Sequence, residues 1–299
     1  MTIAMSTTGT STPEFEPAAP VLKWVGGKRA LLPQINRLLP KPEFGKRFFE
    51  PFMGGGAVAF SRTFDNAIVC SDANRDLINL YEVIRDQPGA LINELGKYRN
   101  DEAFYYEIRD RDRAEDWLIA DVVEQAARVL YLNKTCFNGL YRVNAQGQFN
   151  TPFGHYVRPN FLDEQAINKL HRFLNSQLVS GERRVHLSQG NYAALTREAV
   201  AGDVVYFDPP YVPISITASF TSYQSQGFGL NDQKALRDEA VRLGELGAKV
   251  LLSNSDHEIV RELYGDQSQF KLHVVPISRA LAAKVTARKK ITELLIETK

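Results

Sequence analysis

The sequence predicts an open α/β sheet interrupted by a helical insertion, on the strength of three observations. Short apolar runs, Phe48-Phe49, Ala67-Ile68-Val69-Cys70, Val204-Val205-Tyr206 and Val250-Leu251-Leu252, alternate with helical periodicity. The first and third runs stop at turn chemistry, Gly54-Gly55-Gly56 and Asp208-Pro209-Pro210, where open α/β sheets bind their ligands. From residue 74 to about residue 131 the pattern is helical throughout, with Leu77, Leu80, Tyr81 and Ile84, then Leu91, Ile92 and Leu95, then Val122, Val123, Ala126, Ala127 and Leu130 at three-to-four spacing.

The chain has 299 residues and 44% hydrophobic content, enough to bury a large core in one or two domains. Two cysteines, Cys70 and Cys136, make neither a disulfide framework nor a cysteine-rich metal site, so no metal is expected. No apolar run reaches membrane-spanning length and no secretory signal is read, so a cytoplasmic protein that binds no membrane is expected. A net charge of +1 does not by itself point to nucleic acid. Its distribution is uneven, however, because residues 125–162 contain no acidic residue.

Residues 1–20 are rich in Ser, Thr, Pro and Ala and read as a disordered tail. Leu22-Lys23-Trp24-Val25-Gly26-Gly27-Lys28 then opens a helical pattern through Leu31, Leu32, Ile35 and Leu39, with glycines that let backbone amides approach a ligand. Arg47-Phe48-Phe49-Glu50-Pro51-Phe52-Met53-Gly54-Gly55-Gly56 reads as strand then glycine turn, followed by helical Ala57-Val58-Ala59-Phe60. This is a nucleoside-binding turn without the Gly-Lys-Ser/Thr ending of a phosphate loop. Gly54, Gly56 and Ala59 also match a loose dinucleotide fingerprint, so an NAD-type reading stays open here. The strand over residues 67–71 ends at Asp72, placed to accept hydrogen bonds from ribose hydroxyls.

The acid-free stretch carries Arg128, Lys134, Arg142, His155 and Arg158 interleaved with Tyr131, Phe137, Tyr141, Phe149, Phe153, Tyr156 and Phe161. Cations for phosphates and flat rings for bases suit nucleic-acid contact, and Asn138-Gly139 and Gln146-Gly147 mark turns of a hairpin or loop pair. The α/β pattern resumes at Val185-His186-Leu187. It continues through the central strand, an amphipathic helix over residues 231–246 and a strand ending at Ser253-Asn254-Ser255-Asp256. Two final apolar runs, residues 272–277 and 291–296, flank a second basic strip of Arg279, Lys284, Arg288, Lys289 and Lys290. In the central strand Val204-Val205-Tyr206 leads into Phe207-Asp208-Pro209-Pro210-Tyr211-Val212, and neither proline can extend a ladder. Asp208, the proline carbonyls and the Tyr211 ring are therefore expected in one crevice, as the active-site candidate.

With these residues assembled, the chain resembles the Dam-type DNA adenine-N6 methyltransferases from about residue 21 to its end. Residues 22–28 are similar to that family's first cofactor motif, Phe49 to Gly56 to its glycine motif, Ser71-Asp72-Ala73-Asn74 to its ribose-binding acid and Asp208 to Tyr211 to its catalytic motif. Leu132-Asn133, Phe137-Asn138-Gly139-Leu140, Arg142 and Phe149-Asn150-Thr151-Pro152-Phe153-Gly154 are similar to its target-recognition segment. The resemblance implies a Rossmann-like S-adenosylmethionine-dependent methyltransferase sheet, formed by residues 21–75 and 170–299, with a mainly helical target-recognition domain over residues 76–169. It implies duplex DNA as partner and GATC as the site, in a monomer working in a bacterial or phage-infected cytoplasm. The catalytic residues would be Asp208, Pro209, Pro210 and Tyr211. The cofactor would meet Trp24, Gly26, Gly27, Lys28, Glu50, Pro51, Phe52, Gly54, Gly56, Asp72 and Asp208. DNA would meet Lys23, Lys134, Phe137, Asn138, Leu140, Arg142, Asn150, Pro152 and Tyr156, with Phe137 inserting into the stack. The chain departs from the pattern at Phe137, where tyrosine is common, at His155, where arginine is common, and over residues 279–285, which lack the usual glycine-rich loop. A methyltransferase acting on cytosine N4 or on RNA stays open, because the catalytic turn suits several exocyclic amines.

Overall fold

The computed structural model describes residues 15–211, 228–277 and 291–299. Seven strands form one sheet in the order β3-β2-β1-β4-β5-β7-β6. They are β1 (Arg47–Glu50), β2 (Ala67–Asp72), β3 (Val185–Gln189), β4 (Val204–Phe207), β5 (Lys249–Ser255), β6 (Phe270–Ile277) and β7 (Ile291–Thr298). The first five run parallel, while β7 is antiparallel to both β5 and β6. Strand order reverses between β1 and β4, which leaves a crevice beyond their carboxyl ends. Both turns singled out in the sequence open into it. This is the expected Rossmann-like α/β architecture.

The central strands read as unbroken apolar runs because both faces of the sheet are covered. Phe48, Val204 and Tyr206 point into one core layer with Ile35, Phe60 and Leu77. Phe49, Val205 and Phe207 point into the other with Leu236, Ala240 and Leu243. The period-two alternation of the strand sends neighbouring residues to opposite faces, and fully burying each such side chain contributes about 1.5–3 kcal/mol. Helix α1 (Leu32–Leu38), α2 (Arg75–Asp86) and α6 (Glu164–Leu174) contribute to the first layer. Helix α7 (Tyr192–Thr196), α8 (Leu230–Glu245) and α9 (Glu258–Leu263) cover the second.

Between β2 and β3 lie α2, α3 (Pro88–Leu95), α4 (Glu102–Asp110), α5 (Val122–Thr135) and α6, with an irregular segment after α5. Acids cap three of these helices: Asp101, Asp121 and Asp163 each accept a first-turn amide. The segment after α5 contains the expected hairpin, with Val143 bridged to Phe149 and the Asn150 amide bonded to the Arg142 carbonyl at 2.9 Å.

Several expectations need correction. The tail expected to be disordered spans residues 1–20, yet the Phe15 and Ala18 amides bond the carbonyls of Thr63 and Phe60 at 3.1 and 2.8 Å, and Arg184 lies 4.2 Å over the Phe15 ring. The ring gains burial that polar composition did not reveal. The stretch after the glycine turn makes only a 3-10 turn, Ala59–Ser61, because the chain becomes extended at Arg62. Val212 and the second basic strip from Arg279 to Lys290 lie outside the described residues.

Candidate functional site

Strand β4 delivers Asp208 to the crevice and the two prolines end the ladder there. Lys28 is 4% exposed, and its Nζ lies 2.8 Å from Asp208 Oδ1 while also donating to the Gly26 carbonyl. The same ammonium lies 4.8 Å over the Tyr211 ring, and the Tyr211 hydroxyl donates to Glu293 Oε2 at 2.8 Å. Burial raises the Asp208 carboxyl, and the Lys28 ammonium opposes that rise. Pro209 is buried, Pro210 exposed and Tyr211 half-buried.

Across the switch point, Trp24, Gly26, Gly27, Lys28, Glu50, Gly54 and Asp208 line one crevice. Gly54 has φ +47° and Gly56 φ +72°, a region that costs other residues strain. A Cβ on Gly54 would stand 2.7 Å from Trp24 Cδ1, so the bare backbone is what keeps the indole at the crevice wall. Asp72 Oδ2 accepts from the Gly54 amide and Oδ1 from the Asn74 amide, each at 2.9 Å. Burial raises this carboxyl and the two amides hold it down. Each oxygen keeps a further lone pair for a hydroxyl donor. Pro51 is buried, with its carbonyl 3.2 Å from Ser71 Oγ, while Phe52 stacks on Tyr192 at 5.3 Å and meets Phe207 and Phe228 edge-on.

Glu50 is buried beneath this wall, and its Oε2 accepts from the Ala59 amide at 2.6 Å. Burial pushes its carboxyl up to about 8, against the pull of that amide and of Arg62. The folded protein therefore holds the Glu50 proton more tightly than the unfolded chain. The associated stability is fully present below the ordinary value of 4.5 and is lost as pH rises through about 8. Glu50→Gln keeps an acceptor for Ala59 but cannot ionise. Wild type should lose stability relative to this variant by up to a few kcal/mol between pH 5 and pH 8.5. Thermal midpoints at the two pH values check this, and parallel behaviour of the two proteins would refute it.

The predicted DNA contacts divide. Phe137 is 52% exposed at the end of α5, with its amide bonded to the Pro152 carbonyl at 2.9 Å. Asn138, at φ 56°, and Pro152 are exposed beside it. Lys23 Nζ lies 5.1 Å over the Tyr156 ring, and Lys134, half-buried, is lowered by burial and by the nearby Lys23 charge. Leu140 is half-buried and its carbonyl accepts from Thr151 Oγ1. Arg142 is exposed on the hairpin, and its Nε donates to Asn150 Oδ1 at 2.7 Å. Four other members of the acid-free stretch are buried rather than presented to solvent. Arg128 is 2% exposed, ion-paired to Asp112 at 2.6 Å and bonded to the Ile108 carbonyl, while Tyr131, Phe149 and Phe153 belong to the core. The stretch lacks acids only in sequence. Its buried cation draws Asp112 from a different segment.

Two residues here, Glu293 and Gln233, were missed by sequence reasoning, and Asn133, which the resemblance places in the target-recognition segment, has a tying role that the sequence did not show. Asn133 is 1% exposed; it accepts from the Lys23 amide at 2.8 Å and donates to the carbonyls of Lys23 and Gly139, tying residues 22–28 to the segment after α5. Glu293 on β7 and Gln233 on α8 both bond the turn from Asp208 to Tyr211. No local pattern marks them, because each is defined by a partner far away in sequence. Among the described residues there is no group of three or more His, Cys, Asp or Glu able to hold a metal, and no helix long and apolar enough to cross a membrane.

Comparison with known proteins agrees with this geometry. Over 279 residues the chain is 40% identical to the Type II methyltransferase M1.LlaDCHI of Lactococcus lactis subsp. cremoris, covering 93% of this chain and 94% of that protein. It is 37% identical to the Type II methyltransferase M.MjaIII of Methanocaldococcus jannaschii, over 93% and 98% of the two chains. It is 35% identical to the DNA adenine methylase of Serratia marcescens, over 92% and 96%. Residues 24–280 match the family model of the D12 class N6 adenine-specific DNA methyltransferases, a span that includes both turns, Asp72 and the helical insertion. With relatives of this identity along nearly its whole length, the chain belongs to the D12 class of N6 adenine-specific DNA methyltransferases.

Proposed function

We propose that the protein transfers a methyl group from S-adenosylmethionine to adenine N6 in duplex DNA, within GATC, on a base flipped out of the helix. The observation that carries this is the meeting of Asp208, at the end of β4, with the glycine turn of β1 in one crevice. The residues present fit a nucleoside-sulfonium cofactor. Gly54 leaves a cradle that a Cβ would fill, Asp72 holds lone pairs toward hydroxyls, and Trp24 and Phe52 offer flat apolar faces. When bound, the cofactor supplies an electrophilic methyl group.

The adenine amine is a poor nucleophile because its lone pair is delocalised into the ring. Asp208 and the Pro209 carbonyl would accept its two N–H bonds, turning the lone pair out of the ring plane and stabilising the positive charge that develops. Tyr211 would give the flipped base a face, and exposed Phe137 would fill the gap it leaves. In this reading residues 76–169 are the target-recognition domain of a monomer working in the cytoplasm of a bacterium or phage-infected cell. Methylation of genomic DNA followed by base-resolved mapping of N6-methyladenine tests the proposal. Modified adenines spread without regard to GATC would remove the site assignment.

Arg142 provides a sharper test of sequence reading. Its guanidinium is exposed on the hairpin and braced by Asn150, and a braced guanidinium suits the O6 and N7 of guanine. Arg142→Ala should cost about 1–3 kcal/mol of discrimination at one guanine of GATC and leave the other positions strict. Rates on GATC and on duplexes with each base pair replaced singly measure this. A uniform loss across all duplexes would make Arg142 a phosphate contact instead.

A further inference from the structure

The Pro209-Pro210 turn cannot brace itself, because neither proline has a backbone N–H. It offers carbonyls alone, so its orientation depends on donors that reach in from elsewhere. One does so from the first turn of α8. Gln233, 1% exposed, donates from Nε2 to the Pro210 carbonyl at 2.8 Å. Its Oε1 accepts from Asn254 Nδ2 at 3.0 Å, and Asn254 Oδ1 accepts from the Ser255 amide at 2.8 Å. Each amide in this relay can face only one way, since a carbonyl stands at one end and an N–H at the other. On the opposite side Glu293 accepts from the Tyr211 hydroxyl, so backbone and ring of the turn are held from different elements.

We infer that Gln233 is a positioning residue for methyl transfer. By holding the Pro210 carbonyl, it fixes the plane of the peptide between Pro210 and Tyr211, and with it the direction of the Pro209 carbonyl and the Tyr211 ring. The inference rests on the reading of Asp208 and Pro209 as acceptors of the adenine amine. Gln233 touches neither base nor cofactor in this role, so its loss should slow transfer without weakening cofactor binding.

Two variants test it on the full-length protein with duplex DNA, by single-turnover methylation, S-adenosylmethionine titration and thermal midpoint. Gln233→Leu keeps the bulk and removes the donor, and the transfer rate should fall at least about tenfold with cofactor affinity within twofold of wild type. Gln233→Glu restores a donor only when the introduced carboxyl is protonated. Its rate relative to wild type should therefore decline as pH rises across the titration of that carboxyl, whereas packing alone would give a flat ratio. If Gln233→Leu fails to fold, the pH dependence of Gln233→Glu decides. The inference is overturned if both variants stay within twofold of wild type at every pH, or if rate and cofactor affinity fall together. Asp208→Ala measured alongside separates the two readings: an active Asp208→Ala sinks the assignment of the turn itself, and an inactive one beside normal Gln233 variants sinks only the role of Gln233.

Discussion

Asp208→Ala is expected to reduce methyl transfer to adenine by about 10²–10³-fold or more, the scale for removing a preorganised group that stabilises developing charge. The carboxylate stands at the end of β4, the strand whose four residues are all buried, so the backbone that presents it is held independently of the side chain. The substitution also strips Lys28 of the carboxylate 2.8 Å from its Nζ, leaving an ammonium that is 4% exposed without that partner. Some loss of stability should follow, since an uncompensated buried charge is costly. Asp208→Asn separates the effects, because it keeps one acceptor oxygen but no charge and should lose less activity. The measurement is initial rate on duplex DNA together with thermal midpoint. A rate for Asp208→Ala within threefold of wild type would remove Asp208 from the chemistry.

Gly56→Ala should be strongly destabilising for a single added methyl group. Gly56 has φ +72°, where a side chain costs about 1–2 kcal/mol. Its new Cβ would overlap the Phe60 ring, with Cδ2 only 2.8 Å away. That ring has nowhere to move. It is fully buried and packed edge-on against Tyr81 at 5.3 Å and Phe173 at 5.6 Å. Overpacking adds about 1–3 kcal/mol, so a total of about 2–5 kcal/mol is expected. Relief would have to come from the glycine turn itself, which would shift Gly54 and break its amide bond to Asp72. Cofactor affinity should therefore fall along with thermal stability. Denaturation and cofactor titration of the variant check both parts, and a stability within about 0.5 kcal/mol of wild type would show that the turn can repack.

The turns, Asp72 and the strand periodicities were legible because their information is local. Two prolines stop a ladder whatever surrounds them, a glycine run permits positive φ, and an apolar run bounded by turns has few alternatives to a buried strand. The family's motifs are assembled from these pieces, so the reaction followed from residues 22–28, 49–56, 71–74 and 208–211 read together. Tertiary structure decided what depends on partners distant in the chain. Arg128 became a buried ion pair because α4 is followed by Asp112, and Tyr131, Phe149 and Phe153 became core rather than stacking surface because neighbouring segments close over them. Gln233 and Glu293 look like ordinary polar residues in sequence, and only the pairing of β5 with β7 and the seating of α8 bring them onto the turn from Asp208 to Tyr211. Backbone constraints are written residue by residue, whereas burial and hydrogen-bond partnership belong to pairs, and a pair separated by 23 or 82 residues has no local signature.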